Sequence, residues 1–269
     1  MDFLQIFTLA ILQGITEFLP VSSSAHLILV PIMTNWDDQG LAFDIAIHVG
    51  TLAAVLTYFR QDLKPMTVEW GRSLLTRRLT PPARLAWGLL LATVPVGLAG
   101  LALKDVVETH LRSPVTIAVG LIGFGLLLAW ADWRKGGSRN EYSLTWEGML
   151  VIGCAQALAL FPGTSRSGIT ITAALLLGLS REGASRFSFL LSIPVILLAG
   201  GLQALELLQM PERTDWLALL TGTVVSSLSA FVCIHYFLVF IRRIGMQPFV
   251  GYRIALGFFL IAVFGGFGE

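Results

Sequence analysis

Long apolar runs without charge set the architecture of this chain. Residues 86–103 and 114–131 each run 18 residues without a charge, 187–205 runs 19, and 216–241 runs 26 with only His235 to interrupt it. A helix of that length crosses roughly 30 Å of hydrocarbon. Residues 41–59 fit the same template despite Asp44 and His48, and 249–267 fit with Arg253 near one end. Six transmembrane helices are therefore predicted. Two further apolar regions are broken in the middle. Residues 3–33 are interrupted by Glu17-Phe18-Leu19-Pro20-Val21-Ser22-Ser23-Ser24, and 144–180 by Phe161-Pro162-Gly163-Thr164-Ser165-Arg166-Ser167-Gly168. Each half is too short to span comfortably. In each break a proline ends one helix and hydroxyl residues can cap the next. Both regions are predicted to be re-entrant helix–loop–helix hairpins, with irregular backbone tolerated at membrane depth because protein or a watery cavity surrounds it.

The breaks resemble each other. Gln13-x-x-x-Glu17-Phe18-Leu19-Pro20 lies beside Gln156-x-x-x-Leu160-Phe161-Pro162 once one residue is skipped, and three spans follow each hairpin. The chain thus reads as one membrane domain, 1–269, built from two copies of a unit: repeat one over 1–135 and repeat two over 141–269. Loop charge orients them. Arg60, Lys64, Arg72, Arg77, Arg78 and Arg84, then Arg134, Lys135 and Arg139, then Arg181 and Arg186, and finally Arg242, Arg243 and Arg253 are assigned to the cytoplasmic side; Lys104, Arg112 and Arg213 fall outside. Both termini then face outward. Three spans per unit is odd, so the second unit is inverted, and an inverted repeat with broken helices puts a polar site near the midplane. The predicted class is an all-α integral membrane protein with six transmembrane helices, two re-entrant hairpins and an inverted-topology repeat.

Composition agrees. Hydrophobic residues make up 55% and charged residues 13%, and the mean hydropathy is +0.77, which excludes a water-soluble globule of this size. A net charge of +1 gives no footprint for nucleic acid. Met1-Asp2-Phe3 lacks the positive region of a signal peptide, so the first hairpin is read as part of the mature protein. Cys154 and Cys233 sit in apolar runs as packing residues, the seven tryptophans near span ends form an interfacial belt, and the glycines allow close helix packing. Gly-rich spans also permit a homodimer.

The chemistry concentrates at the apices. An ionisable side chain at membrane depth costs a few kcal/mol or more, and Glu17 and Arg166 are the two charges there. Gln13 shares a helix face with Glu17, and His26 shares one with Ser23. The half-helices that start near Ser22–Ser24 and Ser165–Ser167 would aim free N–H groups into the cavity. Arg166 and the hydroxyls of Ser22, Ser23, Ser24, Thr164, Ser165 and Ser167 complete an anion site suited to phosphate. Glu17 beside such an anion calls for a hard divalent cation, Mg2+ first and Ca2+ second, to bridge the two. His48 and Asp44, at the outer end of a span, are read as structural.

Gln-Gly-Ile-Thr-Glu-Phe-Leu-Pro-Val-Ser-Ser-Ser-Ala-His at 13–26 and Pro-Gly-Thr-Ser-Arg-Ser-Gly at 162–168 resemble the signatures of the undecaprenyl-diphosphate phosphatases, the bacitracin-resistance family of bacterial membrane enzymes. The resemblance runs over nearly the whole chain. It implies hydrolysis of undecaprenyl diphosphate to the monophosphate carrier used in cell-wall synthesis, a divalent-metal requirement, and an active site opening outward from the bacterial inner membrane. Carried over by residue, it implies catalytic roles for Glu17, Ser23, His26 and Arg166. It further implies substrate contacts from Ser22, Ser24, Thr164, Ser165, Ser167 and Thr170, and metal contacts from Glu17 and Gln13. The family has Glu or Gln at the Gln13 position; with Gln13, this chain brings one carboxylate to the metal. Two routes stay open at this point: attack by Ser23 with Glu17 or His26 handling the proton, or attack by metal-bound water. A transporter or flippase could be built on the same inverted repeat. A vanadium-haloperoxidase-like phosphatase would need a His and Asp run that does not follow Ser165-Arg166.

Overall fold

A computed structural model describes residues 1–110, 113–134, 137–207 and 215–265. Eleven α-helices occur among these residues: α1 (Phe3–Thr16), α2 (Ser23–Thr34), α3 (Gly40–Tyr58), α4 (Arg60–Thr76), α5 (Pro81–His110), α6 (Pro114–Trp133), α7 (Trp146–Ala157), α8 (Arg166–Leu176), α9 (Arg181–Leu207), α10 (Trp216–Ile244) and α11 (Gln247–Phe264). No strand longer than an isolated bridge occurs among them. Six helices are long and apolar enough to cross a membrane: α3, α5, α6, α9, α10 and α11. These are the six predicted spans. The chain is a multi-pass membrane protein.

α1 and α2, and likewise α7 and α8, are the short apolar helices that flank the two breaks. Their joints share a backbone feature. Ser22 has φ of 73° and Ser165 has φ of 69°, a left-handed conformation that non-glycine residues rarely adopt. Each directly precedes the second helix of its pair. α1 packs along α10, and α7 packs along α5.

Close approach of backbones holds the breaks in place. A Cβ on Gly120 of α6 would lie 2.2 Å from Pro162 O, so only glycine lets the second break rest on that helix. Gly50 plays the same part where α3 meets α10, 2.3 Å from Thr223 O. Phe18 is fully buried and meets Phe189 of α9 edge-on at 5.2 Å.

One element was not predicted. The basic stretch read as a loop after α3 is the helix α4, amphipathic and mostly exposed, with Met66 and Ser73 its buried residues. Its neighbourhood is a charged layer at one end of the bundle. Arg186 bonds Asp62 and Glu141, both at 2.6 Å, and Arg181 bonds Asp132 at 2.6 Å. Arg253 requires a correction: it is not a loop charge but is wholly buried among carbonyls of the two breaks. Lys135, Arg112, Arg213 and the side chain of Lys104 lie outside the described residues, as does the stretch after residue 265 assigned to the last span.

Candidate active site

The two breaks meet. Glu17 follows the last turn of α1, and Arg166 opens α8, 149 residues later. Arg166 Nη2 donates to Glu17 Oε1 at 2.9 Å, and both side chains are largely buried. The other carboxylate oxygen, Oε2, accepts from Ser23 Oγ at 2.8 Å and from Gln13 Nε2 at 3.0 Å. The second guanidinium nitrogen, Nη1, donates to Ser188 O at 3.1 Å. Removing either charge would strand the other, at a cost of about 3–5 kcal/mol for a buried pair.

A cavity of about 330 Å³ opens over this pair. Glu17, Ser22, Ser23, Ser24, Ser165 and Arg166 line its polar end. Its other walls are mainly apolar, from Val96, Gly97, Gly100 and Leu101 of α5 and Val195, Ile196, Leu198 and Leu202 of α9, with His48 and Gln203 as polar members. The two helix N-termini beside it differ. Ser165 Oγ accepts from Gly168 N at 3.1 Å and caps α8. Ser22 makes no side-chain cap, so the first-turn N–H groups of α2 stay available to an anion.

The remaining predicted residues divide. Gln13 is buried beside Glu17, and its Oε1 has no partner among the described residues. Ser22 Oγ and Ser24 Oγ lie 3.3 Å apart. Ser167 donates to Leu19 O at 2.8 Å, a direct clasp between the breaks. Thr170 is fully buried behind Arg166, bonding Arg166 O at 2.9 Å and Ser188 Oγ at 2.7 Å. Thr164 is buried with its hydroxyl unpartnered among the described residues. Gln13, His26, Thr164, Ser167 and Thr170 do not line the cavity. His26 has both ring nitrogens engaged, Nδ1 with Ser22 O at 2.7 Å and Nε2 with Tyr252 Oη at 2.6 Å, and stacks on Tyr252. It braces the turn that carries Ser22.

Two residues escaped the sequence reading. His48, read as structural, lines the cavity with Nε2 3.8 Å from Glu17 Oε2, and its Nδ1 bonds Asp44 O at 2.7 Å. Arg253 donates to Pro20 O at 3.3 Å in the first break, and to Gly163 O at 2.9 Å and Thr164 O at 2.8 Å in the second; α6 supplies Leu121 O and Gly120 O. It is the pin that holds the apices together. The signal was present: a charge inside an apolar span is costly and asks for a partner.

A divalent cation fits the donor set on one observation, the orphaned Gln13 Oε1 beside Glu17. Among the described residues no three carboxylate, imidazole or thiolate groups cluster. A cation here would draw on Glu17, Gln13 Oε1 and the oxygens of a phosphorylated substrate, a set Mg2+ accepts.

The family model described as bacitracin resistance protein BacA matches residues 6–259. An undecaprenyl-diphosphatase of Nitrosococcus oceani is 60% identical over 264 residues, covering 98% of this chain and all of that protein. Undecaprenyl-diphosphatase 2 of Stutzerimonas stutzeri is 58% identical over 269 residues, 99% of this chain and all of the relative. An undecaprenyl-diphosphatase of Thioalkalivibrio sulfidiphilus is 57% identical over 265 residues, again with full coverage of the relative.

Proposed function

The chain belongs to the bacitracin resistance protein BacA family, and on that premise we propose that it hydrolyses undecaprenyl diphosphate to undecaprenyl phosphate and inorganic phosphate. The observation that carries this is the Ser23–Glu17–Arg166 chain, with bonds of 2.8 and 2.9 Å, at the floor of a cavity whose other walls are mainly apolar. A diphosphate headgroup matches the polar floor, and a polyprenyl tail matches the walls of α5 and α9.

Arg166 and the uncapped first turn of α2 hold the phosphoryl oxygens and meet the charge that develops on them. Ser23 Oγ already directs its proton at Glu17 Oε2, so serine attack needs no rearrangement of that bond. The Oγ–H bond breaks toward Glu17 as the Oγ–P bond forms. The bridging P–O bond breaks with its electrons on the lipid phosphate. Water then attacks the phosphoserine, inorganic phosphate leaves, and Ser23 regains its proton. A divalent cation held by Glu17, Gln13 and the substrate would neutralise the diphosphate when bound.

The two breaks re-enter the membrane from opposite leaflets as parts of an inverted repeat over 1–135 and 141–269. The matching left-handed serines and the matched packing of α1 on α10 and α7 on α5 support that reading. The protein lies in the bacterial inner membrane with its site open to the periplasm; the arginines and lysine of α4 and the Arg242-Arg243 pair mark the cytoplasmic end.

The test is phosphate release from a long polyprenyl diphosphate by purified protein, with and without a chelator. Release that stops on chelation and returns with Mg2+ is expected. A protein that only carried the lipid would release none, and release indifferent to chelation would remove the cation.

A further inference from the structure

A second cavity, about 690 Å³, lies between α2 and α3. Ser24 and His48 line both cavities, so the two share a wall at the catalytic floor. The second has a different character. Its outer part is formed by Asn35, Trp36, Asp38, Gln39 and Asp44, from the loop between α2 and α3 and the first turns of α3. Gln39 Oε1 is buried there without a partner among the described residues, while its Nε2 donates to Asp44 Oδ1 at 2.9 Å. A buried amide oxygen with nothing to accept from calls for water.

Hydrolysis of a lipid diphosphate consumes a water and yields two products of opposite nature. The lipid phosphate keeps its tail among the walls of α5 and α9. Inorganic phosphate is multiply charged, and leaving past Val96, Leu101 and Leu198 would strip its hydration, which an apolar wall does not replace. Resting on the hydrolytic reading above, we propose that the cavity between α2 and α3 is a separate aqueous door, through which water enters and inorganic phosphate leaves while the lipid uses the α5–α9 groove. Asp38 and Asp44, with Asn35 and Gln39, keep this passage polar, so a phosphate moving through it keeps its water. His48 is the post between the doors. Its Nδ1 is tied to Asp44 O at the water side, and its Nε2 faces Glu17 at the catalytic side.

The test places a plug in each door. With Cys154 and Cys233 replaced by alanine, Ile32→Cys on α2 and Trp36→Cys on the loop are modified with a sulfonate-bearing methanethiosulfonate, and Leu198→Cys on α9 is modified in parallel. Phosphate release is then followed against polyprenyl diphosphate concentration. Plugging at Ile32→Cys or Trp36→Cys is expected to lower kcat at least about tenfold and KM with it, leaving kcat/KM within about twofold, the mark of blocked product release. The small neutral methylthio adduct at the same cysteines should leave kcat within about twofold, which separates a plug from a distorted α2. The Leu198→Cys adduct should raise KM instead. Unchanged kcat with both outer adducts, or a rise in KM equal to that of the Leu198→Cys adduct, overturns the separate door. No release from the unsubstituted chain before any modification overturns the hydrolytic reading, and the door with it.

Discussion

The two breaks are alike in backbone and unlike in chemistry. Each has a proline, a left-handed serine before its second helix, and a buried glutamine whose Oε1 has no partner among the described residues. In the first break the functional groups face the cavity: Glu17, Ser23 and Ser24 line it, and the first turn of α2 is uncapped. In the second most hydroxyls are turned inward. Ser167 clasps Leu19 O, Thr170 backs Arg166 and Thr164 is buried, while Ser165 caps α8 at the cavity wall. On the proposed mechanism one apex supplies the reacting groups, and the other supplies one guanidinium and the frame that aims it. Two breaks alike in backbone would then carry an asymmetric site, because that mechanism needs one nucleophile and one anion clamp, not two of each.

That comparison can be broken or sharpened by substitution. The largest effect is expected at Glu17: Glu17→Gln should cut kcat at least about 1,000-fold, since the carboxylate is both proton acceptor and partner of Arg166. Phosphate release by detergent-solubilised protein that still elutes as a folded species checks it. Ser23→Ala should lose at least about 100-fold if serine attacks; substantial residual turnover would shift the reaction to a directly attacking water. A serine of the second break should matter little, because Ser167→Ala removes hydrogen bonds to Leu19 O and Ser165 Oγ, each worth about 1 kcal/mol, and no reacting group. Its activity should stay within about fivefold of the parent, as expected of a clasp and not a reactant. Equal losses at Ser23→Ala and Ser167→Ala would erase the division of labour.

Arg253 tests the frame. Arg253→Met removes the donor to five carbonyls; Gly120 O and Leu121 O keep their α6 backbone bonds, but Pro20 O, Gly163 O and Thr164 O lose theirs, and stranded buried acceptors cost about 1–3 kcal/mol each before relaxation. A fall in thermal midpoint is expected together with lost turnover, measured by thermal unfolding in detergent. A stable, active Arg253→Met protein would show that the apices meet without the pin.

Much of this was legible beforehand. Charge-free runs longer than a bilayer needs specify spans directly, and the six predicted spans are the six long helices. Glu17 and Arg166 were legible because lone charges in apolar surroundings demand a partner, and they found each other. Depth along a span was harder to read. Arg253 sits four residues into an apolar run, and loop charge and buried pin look the same in a one-dimensional pattern. His48 belongs to the site because α3 crosses beside the first break, a tertiary fact that helical spacing does not carry. α4 was missed because its mean hydropathy is low and its pattern is that of a surface helix lying on a charged layer. The inward turn of Ser167 and Thr170 follows from packing against Leu19 and Ser188, residues far away in sequence.

The claim that the two apices form one site rests on the Glu17–Arg166 contact across 149 residues. A double-mutant cycle with Glu17→Asp and Arg166→Lys, scored by kcat/KM for phosphate release from polyprenyl diphosphate, measures it directly. If the two side chains act as one unit, the double variant should lose less than the product of the single losses by at least about tenfold, a coupling of roughly 1.4 kcal/mol. Losses that simply multiply would mean that the carboxylate and the guanidinium work apart.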